Sequence, residues 1–257
     1  MIRQPLHPGV QRGCPNCDED GYVVIRDGEK AMAQICQCVG HCPRCKDTHF
    51  VTSEQGNRFA PRRRCECTTL ANRIRIFNEA NIPARHANST RANFRRSKLL
   101  GPPFSAVSAF IQGFSPKEDN RGIILWGKVG TGKTHLIVAT LRDLIFQHGV
   151  TARFVEFSHL LAELKSGFDR GQGASSLIDP LVRVEVLAID ELGKGRNTEF
   201  EGTVLDELVS RRYNASATII GTTNYAPLPP AGSPVPNHAK PSQTTNLGDR
   251  VGPRVYS

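Results

Sequence analysis

Nowhere in the 257 residues does an apolar run approach twenty positions, and Met1 to Arg12 lacks the continuous apolar segment of a signal peptide. A membrane-spanning helix and a secretory leader are therefore not expected; the chain is expected to be cytoplasmic, without a membrane partner. Cysteine is missing beyond residue 67, although eight cysteines precede that point. Disulfides among them are disfavoured, because cytosolic thiols stay reduced. Disorder of the whole chain is not indicated: 39% of residues are hydrophobic and 22% charged, ordinary for a globular protein long enough for one buried core and a small appendage. Charge imbalance is lacking in residues 101–257, which hold 16 Lys+Arg against 15 Asp+Glu, whereas residues 1–100 hold 17 against 9. Almost all of the net +9 is thus N-terminal. Its densest stretch is Arg62-Arg63-Arg64, Arg73, Arg75, Arg85, Arg91, Arg95, Arg96 and Lys98. Such a stretch suits a surface that meets nucleic-acid phosphates, with a merely solvated basic face as the alternative.

The cysteines repeat one pattern twice. Cys14-x2-Cys17 is followed by Cys36-x-Cys38, and Cys42-x2-Cys45 by Cys65-x-Cys67. Cys14-Pro15-Asn16-Cys17 also matches Cys42-Pro43-Arg44-Cys45, and each is followed by a β-prone run, Gly21 to Ile25 and Thr48 to Thr52. Each half reads as a zinc ribbon, in which a hairpin of about twenty residues brings two cysteine turns together and sets four thiolates around one Zn²⁺. An iron–sulfur cluster also takes four cysteines, but the hairpin spacing suits a mononuclear ion. His41, beside Cys42, has no vacancy to fill in two complete sulfur quartets, so both zinc sites are expected to be structural. Each four-thiolate site carries about −2, which lowers the charge of +9 to about +5. Segments this short bury little core, so metal removal is expected to unfold residues 14 to 67 and leave the rest folded.

Past the cysteines, Gly127-Lys128-Val129-Gly130-Thr131-Gly132-Lys133-Thr134 fits GxxxxGK[ST] and follows the apolar run Gly122 to Trp126. A strand leading into such a loop is the context for binding a nucleoside triphosphate. The glycines let backbone N–H groups converge on the phosphates, Lys133 reaches the β and γ oxygens, and the Thr134 hydroxyl coordinates Mg²⁺. The helix that begins there, with His135 in its first turn, adds its positive dipole end. Val186-Leu187-Ala188-Ile189-Asp190-Glu191, about fifty residues on, is an apolar run ending in two carboxylates. Asp190 at the strand tip is placed for the Mg²⁺ water shell, and Glu191 to orient and deprotonate an attacking water. The pair points to hydrolysis of ATP. Asn224, after the strand Thr218 to Thr222, is a candidate polar sensor of the γ-phosphate, although an Asn there also serves as a turn former.

The remaining pattern gives helices at Ala71 to Ala80, Phe104 to Phe114, Thr134 to Gln147 closing at Gly149, His159 to Phe168 capped by Ser158, and Phe200 to Tyr213. A further strand is read at Ala152 to Phe157, a flexible Gly-rich stretch at Asp169 to Ser176, and a proline-rich surface loop at Tyr225 to Ser242. The ending Leu247-Gly248-Asp249-Arg250-Val251-Gly252-Pro253-Arg254 offers an arginine to a neighbouring subunit's site.

With these residues in place, the chain from about residue 70 resembles AAA+ ATPases of the DnaC/IstB type, bacterial and phage helicase loaders and transposition helpers. Asn81-Ile82-Pro83-Ala84-Arg85 through Asn93-Phe94 resembles the lead-in to that family's ATPase domain. Leu205-Asp206-Glu207-Leu208 with Arg211-Arg212-Tyr213-Asn214 resembles the helix before its sensor strand. The resemblance implies ATP-controlled assembly on single-stranded DNA, with Ser158 to Ser176 facing the DNA. It also implies a replicative helicase as partner, or else a transposase, and self-association through Arg254 or, second, Arg250 as arginine finger. Family members continue into another core strand and a further sensor arginine, whereas this chain stops at Ser257. Four parallel core strands and a site without that last cation are therefore expected. The fold class read from the sequence is α/β: a P-loop AAA+ core with a parallel sheet at residues 122–257, a helical basic connector at 71–121, and tandem zinc-binding hairpin modules at 1–70. A zinc-bearing nucleic-acid adaptor that uses ATP only as a switch is the reading from a different class.

Overall fold

The computed structural model describes residues 5–52, 60–95, 100–116, 121–195 and 198–226. They divide into two compact units, Met1–Asn88 and Ser89–Ser257.

In the first unit, β1 (Tyr22–Asp27) and β2 (Lys30–Ile35) form an antiparallel hairpin around Gly28-Glu29, with Asp27 opposite Lys30. Gly28 has φ +55°, the positive angle that a two-residue hairpin loop demands of its first residue. A second, shorter hairpin pairs β3 (Phe50–Thr52) with β4 (Arg62–Arg64). Helix α1 (Thr68–Glu79) packs on β2, where the buried side chains are the small Ala31 and Ala33. Leu70, Ile76 and Phe77 of α1 are buried. The Asn78 amide completes the backbone pairing of β2, accepting from Ala33 N–H at 2.7 Å and donating to Ala33 C=O at 3.1 Å. The chain after α1 also returns to this hairpin: Ala31 N–H donates to Ile82 C=O and Ala84 N–H to Glu29 C=O, both at 2.8 Å. The helix that the sequence pattern assigns to a connector thus packs with the first cysteine module, and the compact unit runs on to Asn88.

The second unit is a three-layer α/β arrangement. Helix α2 (Gly101–Gly113) starts three residues before the pattern suggests, with proline in its first turn, where missing N–H groups cost nothing. The parallel sheet has the order β5-β8-β7-β6, from β5 (Ile123–Trp126), β6 (Ala152–Glu156), β7 (Val186–Asp190) and β8 (Thr218–Thr223). Among the described residues these are the four parallel core strands expected. β7 is buried throughout, as its continuous apolar run requires. Its Leu187 and Ile189 join a core with α4 (Phe157–Asp169), α5 (Ala174–Arg183) and α6 (Glu199–Asn214). The strand's alternation turns Val186, Ala188 and Asp190 to the other face, towards α3 (Lys133–His148). α3 closes at Gly149, φ +74°, whose N–H donates to both Leu144 and Ile145 C=O.

Two local expectations fail. Ser158 does not cap α4: the helix follows β6 directly, beginning at the buried Phe157, and Ser158 Oγ donates instead to Glu156 Oε1 at 2.7 Å. The Gly-rich stretch is interrupted by α5, which starts at Ala174 despite Pro180 within it. Burial of Ile178 and Leu181 against the core outweighs the lost backbone bond.

Arg212 of α6 is fully buried, with no carboxylate partner among the described residues. Its guanidinium donates to the carbonyls of Leu181, Val184, Glu185 and Thr218, tying the end of α5 to the start of β7 and β8. Burial lowers its pKa to about 10, so it stays charged at neutral pH. Arg212→Met strands several carbonyls and is expected to cost about 3 kcal/mol. A urea midpoint for the second unit equal to that of the parent would contradict this.

Candidate functional site

The carboxyl ends of β5, β8 and β7 lie side by side, Trp126 opposite Thr223 and Ile189 opposite Gly221. Ligands of open α/β sheets bind at such strand ends. Out of β5, the chain makes the phosphate loop, with positive φ at Gly127 (147°), Gly130 (81°) and Gly132 (85°). At Gly132 a side chain is disfavoured twice, by the angle and because a Cβ would crowd the Phe94 ring at 3.0 Å. Lys133 Nζ donates to Gly127 C=O and Lys128 C=O at 2.9 Å and to Asn224 Oδ1 at 2.8 Å. The loop lysine and the strand-end amide, 91 residues apart, thus meet. Burial lowers the Lys133 pKa, opposed by the charges of Asp190 and Glu191.

Asp190 is 1% exposed. Its carboxylate accepts from Thr134 Oγ1 at 2.9 and 3.1 Å and from Thr222 Oγ1 at 2.5 Å. The hydroxyl and carboxylate expected to share Mg²⁺ are therefore adjacent, and their hard oxygens suit that ion. Glu191 has φ +55°, unusual for a non-glycine, and its N–H donates to Thr222 Oγ1 at 3.0 Å. The Glu191 carboxylate is paired with Lys194. Thr222 orients both acidic residues at once, a role the sequence reading did not assign; a hydroxyl on a buried strand two residues before the sensor position was the available signal.

Beside the loop lies a cavity of 390 Å³ whose lining includes Phe94, Leu100, Pro102, Ala106, Trp126 and Gly132. Phe94 stacks on Phe104 with centroids 5.9 Å apart and lies 5.5 Å from the His135 ring. His135 Nε2 is 2.9 Å from Thr90 C=O. The side chain of His135 thus holds the Thr90–Phe94 segment against the helix start, while Val129 is 81% exposed at the loop tip. Arg250 and Arg254 lie outside the described residues, as do Arg96, Lys98 and the proline-rich segment from Pro227.

In the first unit the cysteines gather as the spacing predicts, Cys14, Cys17, Cys36 and Cys38 in one group and Cys42, Cys45, Cys65 and Cys67 in the other. Within each group all sulfurs lie within 4.8 Å of one another. Cys14–Cys36 and Cys42–Cys65 are 3.8 Å apart, Cys17–Cys38 and Cys45–Cys67 3.5 Å. A tetrahedron with Zn–S near 2.3 Å has edges of about 3.8 Å, and a disulfide would need about 2.05 Å. Both quartets therefore fit a zinc ion and exclude the disulfide pairing. Burial pushes the Cys17 thiol up to about 12, and only a central cation offsets four clustered thiolates.

The duplication is visible in the backbone. Asp18 and Glu19 (φ 46° and 68°) correspond to Lys46 and Asp47 (48° and 63°), and Gly21 (79°) to His49 (62°). Cys36 N–H donates to Gly21 C=O at 2.9 Å, and Cys65 N–H to His49 C=O at 2.8 Å. The copies differ where His49 replaces glycine at positive φ and sets its Nδ1 3.7 Å from Cys67 Sγ. His41 is not a ligand but pairs with Asp47, which also accepts from Cys42 N–H at 2.8 Å.

Among the described residues no helix is long and apolar enough to cross a membrane. The replicative helicase loader DnaC of Escherichia coli (strain K12) is 27% identical over 143 residues, 55% of this chain and 57% of that protein. DnaC of Buchnera aphidicola subsp. Baizongia pistaciae (strain Bp) is 33% identical over 109 residues, 41% and 44% of the two chains. The chain thus spans about half the length of these curated relatives. A crystal structure of the DnaC helicase loader superposes with a TM-score of 0.54 at 27% identity, covering 66% of this chain and 91% of that one. DnaI shares the fold at a TM-score of 0.50 and 21% identity, over 56% and 76%. The family described as IstB-like ATP binding protein matches residues 77–228, more than half of the sequence, and this chain belongs to it.

Proposed function

We propose that this chain is an AAA+ ATPase that loads or remodels a replicative helicase on single-stranded DNA. The observation that carries the ATPase reading is the meeting of Lys133, Thr134, Asp190 and Asn224 across the ends of three adjacent strands. Loop N–H groups and Lys133 bind the phosphates; Thr134 and Asp190 would hold Mg²⁺, which would supply positive charge against the triphosphate. Asn224 positions the γ-phosphate and the attacking water. Glu191, exchanging Lys194 for that water, takes its proton as the water oxygen attacks phosphorus and the β–γ bridging bond breaks to leave ADP and phosphate. Arg254, or second Arg250, supplies a cation to a neighbouring subunit's site, and the α4 segment faces the DNA.

Loading is supported by the likeness to DnaC across the nucleotide-binding part. A transposition helper is the second reading, favoured by the IstB-like family match. Glu191→Gln is expected to lower ATP turnover at least about a hundredfold while ATP binding holds within a few-fold. A turnover already near background and unchanged by the substitution would mean a nucleotide switch instead. For the client, purified replicative helicase and single-stranded DNA coated with binding protein are mixed with the wild type and with Glu191→Gln. ATP-dependent deposition of helicase by the wild type is expected; its absence, with stimulation of a transposase instead, selects the second reading.

A further inference from the structure

The second cysteine module presents a face that the nucleotide site does not use. Val51 packs against the Cys42 quartet, so the pleat turns Phe50 and Thr52 to the opposite side of the β3–β4 hairpin. Phe50 stands opposite Arg64 and Thr52 opposite Arg62, and directly opposed residues share a face. Phe50 is 48% exposed, and Arg62, Arg63 and Arg64 are all exposed. None of the three arginines has a carboxylate partner among the described residues; nearby Glu66 is taken by Arg44. Charged side chains on a short edge strand guard against unwanted strand pairing. That role accounts for the arginines but not for a half-exposed aromatic ring across the hairpin from Arg64, which adds nothing to the hairpin's own core.

We propose that this face binds single-stranded nucleic acid, with phosphates on Arg62 and Arg64 and a base stacked on Phe50. Residues two apart on a strand are about 6.6 Å apart, on the scale of successive phosphates in an extended single strand. Unpaired bases offer the π-face that an exposed ring accepts, and duplex bases do not reach it. An acidic protein surface would satisfy the guanidinium groups but gives Phe50 no partner. The contact belongs to the first compact unit and does not depend on whether the second hydrolyses ATP.

The test uses the zinc-loaded full chain without nucleotide and a fluorescent oligo-dT, with anisotropy followed between 50 and 200 mM salt. Phe50→Ala is expected to weaken binding about tenfold with the salt slope unchanged. Arg62→Gln with Arg64→Gln is expected to lower the slope of log affinity against log salt by about 1.4, roughly 0.7 per phosphate. Unchanged zinc content shows that either variant still folds. Affinity and slope within twofold of the parent for both variants would overturn the proposal. So would a polyglutamate peptide that displaces the protein as well as oligo-dT does, which would reassign the face to an acidic protein. Lys133→Ala is expected to leave this nucleotide-free affinity alone, so failure of the ATPase reading and failure of this one are told apart.

Discussion

Lys133→Ala is expected to weaken ATP binding at least about a hundredfold and to remove turnover with it. Charge-assisted hydrogen bonds to phosphate contribute about 1.5–3 kcal/mol each, and an ammonium that bridges two phosphoryl oxygens makes two of them. The loss is therefore about 3–6 kcal/mol before any change in loop shape. The Lys133 ammonium is also the hub of its own surroundings, joining Gly127 C=O, Lys128 C=O and Asn224 Oδ1. Alanine frees the amide of Asn224, so the sensor residue loses its anchor at the same time. The loop backbone has independent reasons to keep its course: positive φ at glycines 130 and 132 and the Phe94 ring against Gly132. Fold and zinc content should then match the parent, and titration with a fluorescent ATP analogue isolates the binding loss. Retention of nucleotide as tight as in the parent would end the reading of this loop as the phosphate site.

Parts of the molecule are legible in the amino-acid order and parts are not. Local rules with a fixed spacing carried through: the two cysteine quartets, the loop between β5 and α3, the buried strand ending at Asp190, and the closure of α3 at Gly149. In each the chemistry and the backbone requirement fall within a few residues. What was not legible is set by partners far along the chain. Thr222 reads as an ordinary β-branched strand residue until register places it opposite Asp190. Arg212 stands near a helix end with nothing local to mark it as buried, yet it serves carbonyls about thirty residues upstream. The first helix reads as a connector because its small partners, Ala31 and Ala33, give no sign that a helix rests on them. α5 is obscured by Pro180 and the glycines before it, and only its buried Ile178 and Leu181 explain why it forms.

Removal of zinc is expected to unfold the whole first unit and spare the sheet of the second. The metal supplies about 10–16 kcal/mol of apparent binding energy per four-ligand site at neutral pH, as much as a typical domain's entire stability. Without it the first quartet is three buried cysteines and the half-buried Cys38 and the second is four buried ones, each beside few apolar side chains: Val23 and Val39 in the first, Val51 in the second. That core cannot offset the ordering of tight turns held at positive φ by Asp18, Glu19, Lys46 and Asp47. The consequence extends past Cys67, because α1 rests on β2 and the Ile82–Ala84 segment pairs with the same hairpin. Loss of the first site should therefore release α1 as well, whereas loss of the second should melt mainly the β3–β4 hairpin. Treatment with a strong chelator and a reductant, followed by brief proteolysis and mass spectrometry, is expected to yield a resistant fragment beginning near Ser89. Cys14→Ser should expose α1 to cleavage, and Cys45→Ser should leave it protected. A proteolysis pattern unchanged after metal analysis has shown the zinc to be gone would mean that the cysteine groups hold together by packing alone.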